Sequence, residues 1–175
     1  FDIRLDNCNT TVDGLEKLIQ GATGNPSFRF GKGRPSTWES LFGRVKGRVN
    51  DILASLYLGS GVGDVLADVN VLNAMDRNKS IQVTGDLMTE DLDLGKILDN
   101  KLLGLCTISS TMKADIVREK GPVLSIESLL VDRLGLKGHD YTDISANGKL
   151  STEKFEGQVV SHDPACDFLF KGLFS

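Results

Sequence analysis

Apolar and polar residues alternate along most of the chain from residue 44 onward, which is the period-two pattern of β-strands with one apolar side. Short runs rich in Val, Ile, Leu and Thr are separated by turn residues, with 19 Gly against 4 Pro. The strand-like run 1–5 precedes nine predicted strands, at residues 44–49, 52–58, 64–72, 80–88, 106–116, 123–136, 141–150, 155–161 and 166–174. The turns between them are too short for crossover helices, so the pattern predicts an antiparallel meander.

The alternation also predicts that one face of this sheet is apolar and the other polar. In the run 106–116 the even positions carry Ile108, Ser110, Met112, Ala114 and Ile116, while the odd positions are polar or charged. Register should be firmly set, because a slip of one residue would turn each apolar row toward water. The positions expected to line the apolar face are Ile108, Met112, Ile116, Leu124, Ile126, Leu130, Ile144, Leu150, Phe168 and Phe170.

Three short helices are expected to interrupt the strands. Residues 13–20 and 36–42 each show a capping-box spacing with Glu and a following Gly as a stop, and 91–98 places three apolar residues on one side. A helix of two turns is not stable alone, so each is expected to dock on an end or edge of the sheet. The fold class is therefore mostly β: an antiparallel curled sheet, as a β-taco or an open sandwich-like meander, with two or three short docked helices.

A weak internal sequence repeat indicates the domain organisation. The segments 9–18 and 89–98 both follow an alternating strand and both precede a step into a new strand, which suggests a unit of strands, helix and strands repeated at an interval near 80 residues. We expect residues 1–63 to be a helix-interrupted β segment ending one repeat and residues 64–175 to be a second β-sheet repeat. The two are expected to form one continuous unit cut from a longer chain.

Charge and hydropathy exclude several classes of protein. The chain has 20 Lys and Arg against 24 Asp and Glu, a net charge of −4, which argues against a nucleic-acid binder. No apolar run is long enough to span a bilayer as a helix. The three cysteines are far apart and form no CxxC motif, so neither a disulfide framework nor a zinc site is indicated.

The sequence offers little that resembles a catalytic site. His139 and His162 are the only histidines, and each precedes an Asp. Adjacent residues on an extended chain point to opposite sides, so neither dipeptide makes a catalytic dyad by itself, and surface turns are favoured. The glycine-rich run 59–63 leads into a strand-like segment rather than a helix, so a hairpin turn is favoured over a phosphate-binding loop. We therefore expect no enzyme, no metal site and no cofactor.

One basic loop is a weaker candidate site. Arg29, Lys32 and Arg34 precede the predicted helix 36–42, and an anion or a lipid head group could rest there. Solvated loop charge is the favoured interpretation.

The apolar face itself has two interpretations. A sheet with one apolar side is most often half of a closed sandwich or barrel. Its competitor is a curled sheet whose apolar face lines a groove for an acyl chain, which needs an apolar lining and few polar groups.

Three features of the second half of the chain form a recognisable series: the segment TEDLDLGKIL at 89–98, the LGL step at 103–105 and the stretch 134–172. In these features the chain resembles the AsmA-like, TamB-type (translocation and assembly module) envelope proteins of Bacteroidetes. The resemblance covers residues 64–175 well and the first third loosely. Positions that match the family pattern are Leu136, Gly138, Tyr141, Ile144, Gly148, Phe155, Gly157, Asp163, Pro164, Phe168, Phe170 and Gly172. Departures occur at His139 and Asp140 and at Ala165 and Cys166, and they remove no turn and no apolar row.

This resemblance implies a segment of a long periplasmic protein anchored in the bacterial inner membrane through parts of the chain that are not present here. Such proteins resemble extended curled sheets, associated with phospholipid transport between the inner and outer membranes and with cell-envelope biogenesis. The implied partners are phospholipid acyl chains. An alternative role is a scaffold that assembles outer-membrane β-barrel proteins by strand-edge pairing, through the terminal strand 166–174. A further alternative is a closed β-sandwich binding module with no lipid role.

Overall fold

The computed structural model describes residues 1–11, 13–14, 16–17, 20, 26, 29, 37–76, 78–117, 121–151 and 154–174. Nearly all of them belong to one open antiparallel sheet of eleven strands, in which every strand except β8 lies on a path that follows the order of the sequence. A short strand, β8, pairs with β7 beside the main path, so β7 is followed across the sheet by β9. The predicted antiparallel meander is confirmed.

The strands and the one fully described helix have these bounds: β1 Asp2–Thr11, β2 Thr37–Arg48, β3 Asp51–Gly59, β4 Asp64–Leu72, β5 Ile81–Asp93, α1 Leu94–Leu98, β6 Leu103–Val117, β7 Gly121–Leu136, β8 His139–Tyr141, β9 Ile144–Leu150, β10 Phe155–Asp163 and β11 Cys166–Phe174. The first and last strands of this series are the two edges of the sheet.

The three predicted helices agree with the structure to different extents. The described residues between 13 and 20 are helical, and the Thr11 hydroxyl accepts a hydrogen bond from the Gly14 amide at 3.1 Å. The predicted helix at 36–42 is wrong over residues 37–42, which form the first half of β2, while Ser36 lies outside the described residues. Pairing with two neighbouring strands supplies backbone partners that a two-turn helix would lack, and this outweighs the local capping signal.

The third predicted helix is shorter than expected, because β5 continues to Asp93 and only Leu94–Leu98 are helical. The Asp93 carboxylate accepts a hydrogen bond from the Lys96 amide at 2.9 Å, which caps the start of α1. Ile97 packs against Val62, and the half-buried Leu58 and Leu92 surround the pair. Helix α1 therefore covers one margin of the sheet near the turn between β3 and β4.

The pairing of β7 with β6 shifts register three times; the shift between Leu103 and Cys106 gives β6 one extra residue, and the other two give β7 one extra residue each. The latter two lie between Thr111 and Met112 and between Thr107 and Ile108. Each of these two shifts places two residues of β7 opposite one position of β6, as in a β-bulge. If even-numbered residues of β7 lie on one face before a bulge, odd-numbered residues therefore lie on that face after it.

The predicted strand 141–150 is divided into β8 and β9. Asp143 has a φ of 53° and lies in the short break between the two strands. An Asp tolerates this left-handed conformation better than most residues, because its short side chain can hydrogen-bond locally. The other predicted strands coincide with observed ones to within a few residues, apart from longer ends on β1, β2, β5 and β6.

Candidate functional site

A single row of small and apolar residues crosses ten strands of the sheet. We call it the central row, and it is defined by direct cross-strand partners. Its members, from β1 to β11, are Ile3, Val45, Ala54, Val69, Gly85, Met112, Ile126, Gly148, Gly157 and Gly172. Directly paired residues in an antiparallel sheet lie on the same face. Nine strand spacings of about 4.8 Å make this row roughly 43 Å long.

The rows beside the central row are apolar as well. We call the side of the sheet that carries them the apolar face. It includes Leu41, Leu56, Ala67, Leu87, Ile108, Ile116, Leu124, Leu129, Val131, Ile144, Ala146, Leu150, Phe155, Val159, Phe168 and Phe170. Nine of the ten residues predicted to line the apolar face lie on it. They are Ile108, Met112, Ile116, Leu124, Ile126, Ile144, Leu150, Phe168 and Phe170.

The prediction is wrong for Leu130. This residue pairs with Ser109 on β6 and with Ser145 on β9, both of which lie on the polar face, and it is 50% exposed. The cause is the bulge between Ile126 and Leu129, which moves the apolar face of β7 from even to odd positions. Leu129 and Val131 take the place that simple alternation gives to Leu130.

Among the residues that the structure describes, none forms a second layer over most of the apolar face. In the part of the chain that the structure describes, the buried hydrophobic residues are Val62, Ile97, Cys106, Ile116 and Val131. The remaining described apolar positions on this face are half-buried or exposed, and Phe168 at the β11 end is 41% exposed. A closed sandwich of this size would bury most of its inward-facing side chains.

The apolar face is nonetheless the less exposed of the two faces. Along β3, Ile52, Ala54 and Leu56 are half-buried, whereas their neighbours Leu53 and Ser55 on the polar face are exposed. Side chains from adjacent strands therefore crowd one another on this face and leave its outer surface open.

Glycines in the central row bring neighbouring backbones close together. Gly85 has a φ of 152°, and a Cβ at this position would lie 2.0 Å from the Asp68 carbonyl oxygen. No other residue fits there without moving the strand. On β10, a Cβ on Gly157 would meet the ring of Phe155 at 2.9 Å, and this ring lies 6.3 Å from the ring of Phe170. Aromatic rings beside glycines, together with bulges, are devices that allow sheets to curve.

Two arginines on the polar face form ion pairs with nearby carboxylates. The Arg133 guanidinium donates hydrogen bonds to Asp140 at 2.9 and 2.7 Å, and it also contacts Asp91 at 3.3 Å. These carboxylates, that of Asp140 first, raise the pKa of Arg133. At the β1 edge Arg44 forms a bidentate ion pair with Asp2, and the hydrogen bond to Arg44 lowers the pKa of Asp2.

Asp163 is a buried carboxylate at the end of β10, 2% exposed. It accepts hydrogen bonds from the backbone amides of Thr142 and Ala165, both at 2.8 Å, and lies 3.4 Å from the His139 Nε2 atom. These two backbone donors, the Thr142 amide first, lower the pKa of Asp163, and His139 adds to the effect. Asp163 therefore ties the break between β8 and β9 to the β10–β11 turn.

The candidate chemical groups do not assemble into one site. The His139 ring packs edge-on against Tyr141, and its Nε2 atom lies 3.4 Å from a carboxylate oxygen of Asp163. His162 is exposed, and its Nδ1 atom lies 3.5 Å from a carboxylate oxygen of Asp167. No group of three metal-ligating side chains occurs among the described residues. The glycine-rich run 59–63 forms the end of β3 and the hairpin turn into β4, as predicted.

The basic loop is only partly described. Arg29 is exposed, donates a hydrogen bond to the Pro26 carbonyl at 3.0 Å and lies 3.8 Å from the Glu16 carboxylate. Lys32 and Arg34 lie outside the described residues. Helices long and apolar enough to cross a membrane do not occur in the described part of the chain.

Sequence reasoning missed the first half of the apolar face. The predicted lining begins at Ile108, yet Ile52, Leu56, Val69 and Leu87 extend the same face through β3, β4 and β5. The signal was available, because alternation in residues 44–88 is as regular as in the second half.

In comparisons with known proteins, the chain matches no protein-family model, no curated protein and no solved structure. The physical character of the apolar face is therefore the main indication of the function.

Proposed function

We propose that this chain is a non-enzymatic segment of an envelope protein whose curled sheet carries phospholipid acyl chains on its apolar face, between the inner and outer membranes. The observation that carries the proposal is a continuous apolar face, ten strands wide, over most of which the described residues place no second layer. The resemblance to AsmA-like, TamB-type proteins supplies the periplasmic location, the phospholipid and the inner-membrane anchor outside this chain.

The energetics favour an acyl chain as occupant. Transfer of a methylene group from water to an apolar surface stabilises it by about 0.8 kcal/mol, so a long acyl chain needs no specific polar contact. The few polar groups on the face include Thr89, whose hydroxyl donates to the Cys106 carbonyl at 3.1 Å and accepts from the Ile108 amide at 3.2 Å. A face without fixed polar anchors would let a lipid slide along it.

The test places a charge in the middle of the central row. Met112 and Ile126 are direct partners there, so Met112→Asp and Ile126→Asp should each lower acyl-chain binding at least tenfold, because a carboxylate would lose hydration under a bound chain. Ser125→Asp is the matched control. Ser125 precedes Ile126 on the other face, between Lys113 and Lys149, so a carboxylate there should be harmless.

The assay is photocrosslinking to vesicles that contain phosphatidylethanolamine with a diazirine on its acyl chain, followed by mass mapping of labelled peptides. We expect label on residues of the apolar face in the wild-type chain and in the Ser125→Asp control. Absence of label from the wild-type chain, or equal label on both faces, would contradict the proposal. Urea unfolding of each variant separates lost binding from lost folding.

A second candidate function is a scaffold for strands of outer-membrane β-barrel proteins, which would pair with the edge of a strand such as β11. β11 is paired on one side with β10 and has no described strand on the other. An added strand could pair with its free backbone groups. Leu169→Lys should weaken binding of a barrel-strand peptide and leave lipid crosslinking unchanged, since Leu169 lies on the polar face opposite Val160.

A further inference from the structure

Four large apolar side chains lie side by side on the polar face, in the interior of the sheet. They are consecutive cross-strand partners on β2, β3, β4 and β5, and we call them the outer stripe: Phe42, Tyr57, Leu66 and Met88. Phe42, Leu66 and Met88 are 37%, 40% and 49% exposed, and the ring centroids of Phe42 and Tyr57 lie 6.3 Å apart. Single exposed apolar residues are ordinary on a protein surface, whereas a contiguous set indicates a contact surface.

Acidic side chains flank the outer stripe on both sides where it crosses β4 and β5. Asp68 lies directly opposite Asp86 on one side, and Asp64 lies directly opposite Glu90 on the other. Each carboxylate is two residues from the stripe along its strand, a separation of roughly 7 Å. Like charges that lie directly opposite each other destabilise a strand pair. A cationic partner on this face would remove that repulsion at both places.

The described part of the chain does not supply such a cation. Two of the four carboxylates accept hydrogen bonds from neutral hydroxyl groups, Asp64 from Tyr57 at 2.9 Å and Asp86 from Thr111 at 2.6 Å. Among the described residues, no Lys or Arg forms an ion pair with any of the four. The outer stripe is therefore apolar along its centre and negatively charged along both margins.

The β2 end of the outer stripe adds a shallow hollow of about 440 Å³. Phe42, Tyr57 and Asp64 line it together with serine and glycine residues. A lysine or arginine side chain suits such a hollow, because its methylene groups pack on aromatic rings while its charge meets the carboxylate. Arg44, two residues after Phe42 on the same face, is already ion-paired with Asp2.

We propose that the outer stripe binds a cationic amphipathic helix of a partner protein, which lies across the strands. Neighbouring strands are about 4.8 Å apart and a helix rises about 5.4 Å per turn, so one apolar residue per turn meets each successive strand. Lysine or arginine residues on both margins of the apolar side of the helix then reach the two carboxylate pairs.

Charge complementarity favours this occupant over two others. A second copy of this chain, whose net charge is −4, would bring the same carboxylates to the contact. An anionic membrane surface would be repelled by both acidic margins. The helix occupies the face opposite the proposed acyl-chain surface, so this proposal does not depend on lipid transport.

The experiment measures binding of a designed helix to the full 175-residue chain by fluorescence anisotropy. The probe is a labelled peptide of about 14 residues, with leucine at i, i+3, i+4 and i+7 spacings and lysine at the other positions. A peptide of the same composition with its leucines scattered around the helix is the control. We expect the first peptide to bind at least about fivefold more tightly, and its affinity to fall as salt is added.

Matched variants locate the binding surface. Leu66→Ser should raise the peptide Kd at least about fivefold, whereas Leu53→Ser, also exposed on the polar face but outside the stripe, should leave it unchanged. The double variant Asp68→Asn with Glu90→Gln removes one charge from each margin, so it should raise Kd by a similar factor and weaken the salt dependence. Asp51→Asn, at the far end of β3 on the same face, is the charge control.

Several outcomes would overturn the proposal. Equal binding of the two peptides does so, as do equal effects of Leu66→Ser and Leu53→Ser. A Kd that responds to Met112→Asp and not to Leu66→Ser would place the peptide on the apolar face. Self-association that sedimentation velocity detects in the wild-type chain and not in Leu66→Ser would assign the stripe to a second copy. Loss of lipid crosslinking with intact peptide binding would count against the proposed function alone.

Discussion

The hydrophobic cluster beneath α1 is the place where truncating an apolar side chain should destabilise this protein most clearly. Ile97 is 6% exposed and packs against Val62, with Leu58 and Leu92 around them. Leu98, the next residue of the same helix, is 50% exposed. Ile97→Ala and Leu98→Ala remove the same number of carbon atoms from adjacent positions and differ only in what those atoms contact.

The expected magnitudes follow from burial. Ile97→Ala removes three methylene-sized groups, which at about 0.8 kcal/mol each amounts to about 2.4 kcal/mol of lost transfer free energy. Incomplete collapse of the cavity adds to this, so the free energy of unfolding should fall by about 3 kcal/mol. Leu98→Ala should lower it by less than about 1 kcal/mol, because half of its side chain is already in water in the folded state.

The assay is urea unfolding followed by circular dichroism, combined with hydrogen exchange of the amides in residues 94–98. Because α1 is short, Ile97→Ala is expected to speed exchange in the helix before the sheet unfolds. Equal effects of the two substitutions would refute the assignment of Ile97 to a buried cluster over the sheet margin. A larger effect of Leu98→Ala would mean that the helix presents its other side to the sheet.

Two further predictions concern backbone fit and pH. Gly85→Ala should lower the free energy of unfolding by about 1–3 kcal/mol in urea, because its Cβ would meet a backbone oxygen at 2.0 Å. The control is Gly61→Ala, which should cost less than about 1 kcal/mol because nothing lies within 4 Å of a Cβ at that position. Similar costs at both positions would contradict the close approach at Gly85. Asp163 has a lowered pKa in the folded chain, so its contribution to stability is complete above its unfolded pKa of about 3.9 and is lost as pH falls through the folded value. The stability difference between the wild-type chain and Asp163→Asn, measured by urea unfolding at a series of pH values, should therefore be largest near neutral pH and shrink on acidification; a constant difference would contradict this reasoning.

The sequence determined the order and pairing of the strands, because alternation with a period of two fixes which side chains share a face and short turns allow only antiparallel neighbours. The glycine-rich turn at residues 59–63 also placed the ends of β3 and β4 to within one residue. Nine of the ten predicted lining residues lie on the apolar face for this reason.

Only the tertiary structure decided the remaining features. Leu130 changed face because the register of β7 shifts between Ile126 and Leu129, and the alternation of its sequence does not record that shift. Residues 37–42 became a strand because partners distant in sequence satisfied their backbone groups. The sequence likewise did not decide whether the apolar face is covered, because an alternating strand has the same pattern of apolar and polar residues with or without a second layer over it. The open sheet, with α1 covering one margin, is a property of how the strands assemble.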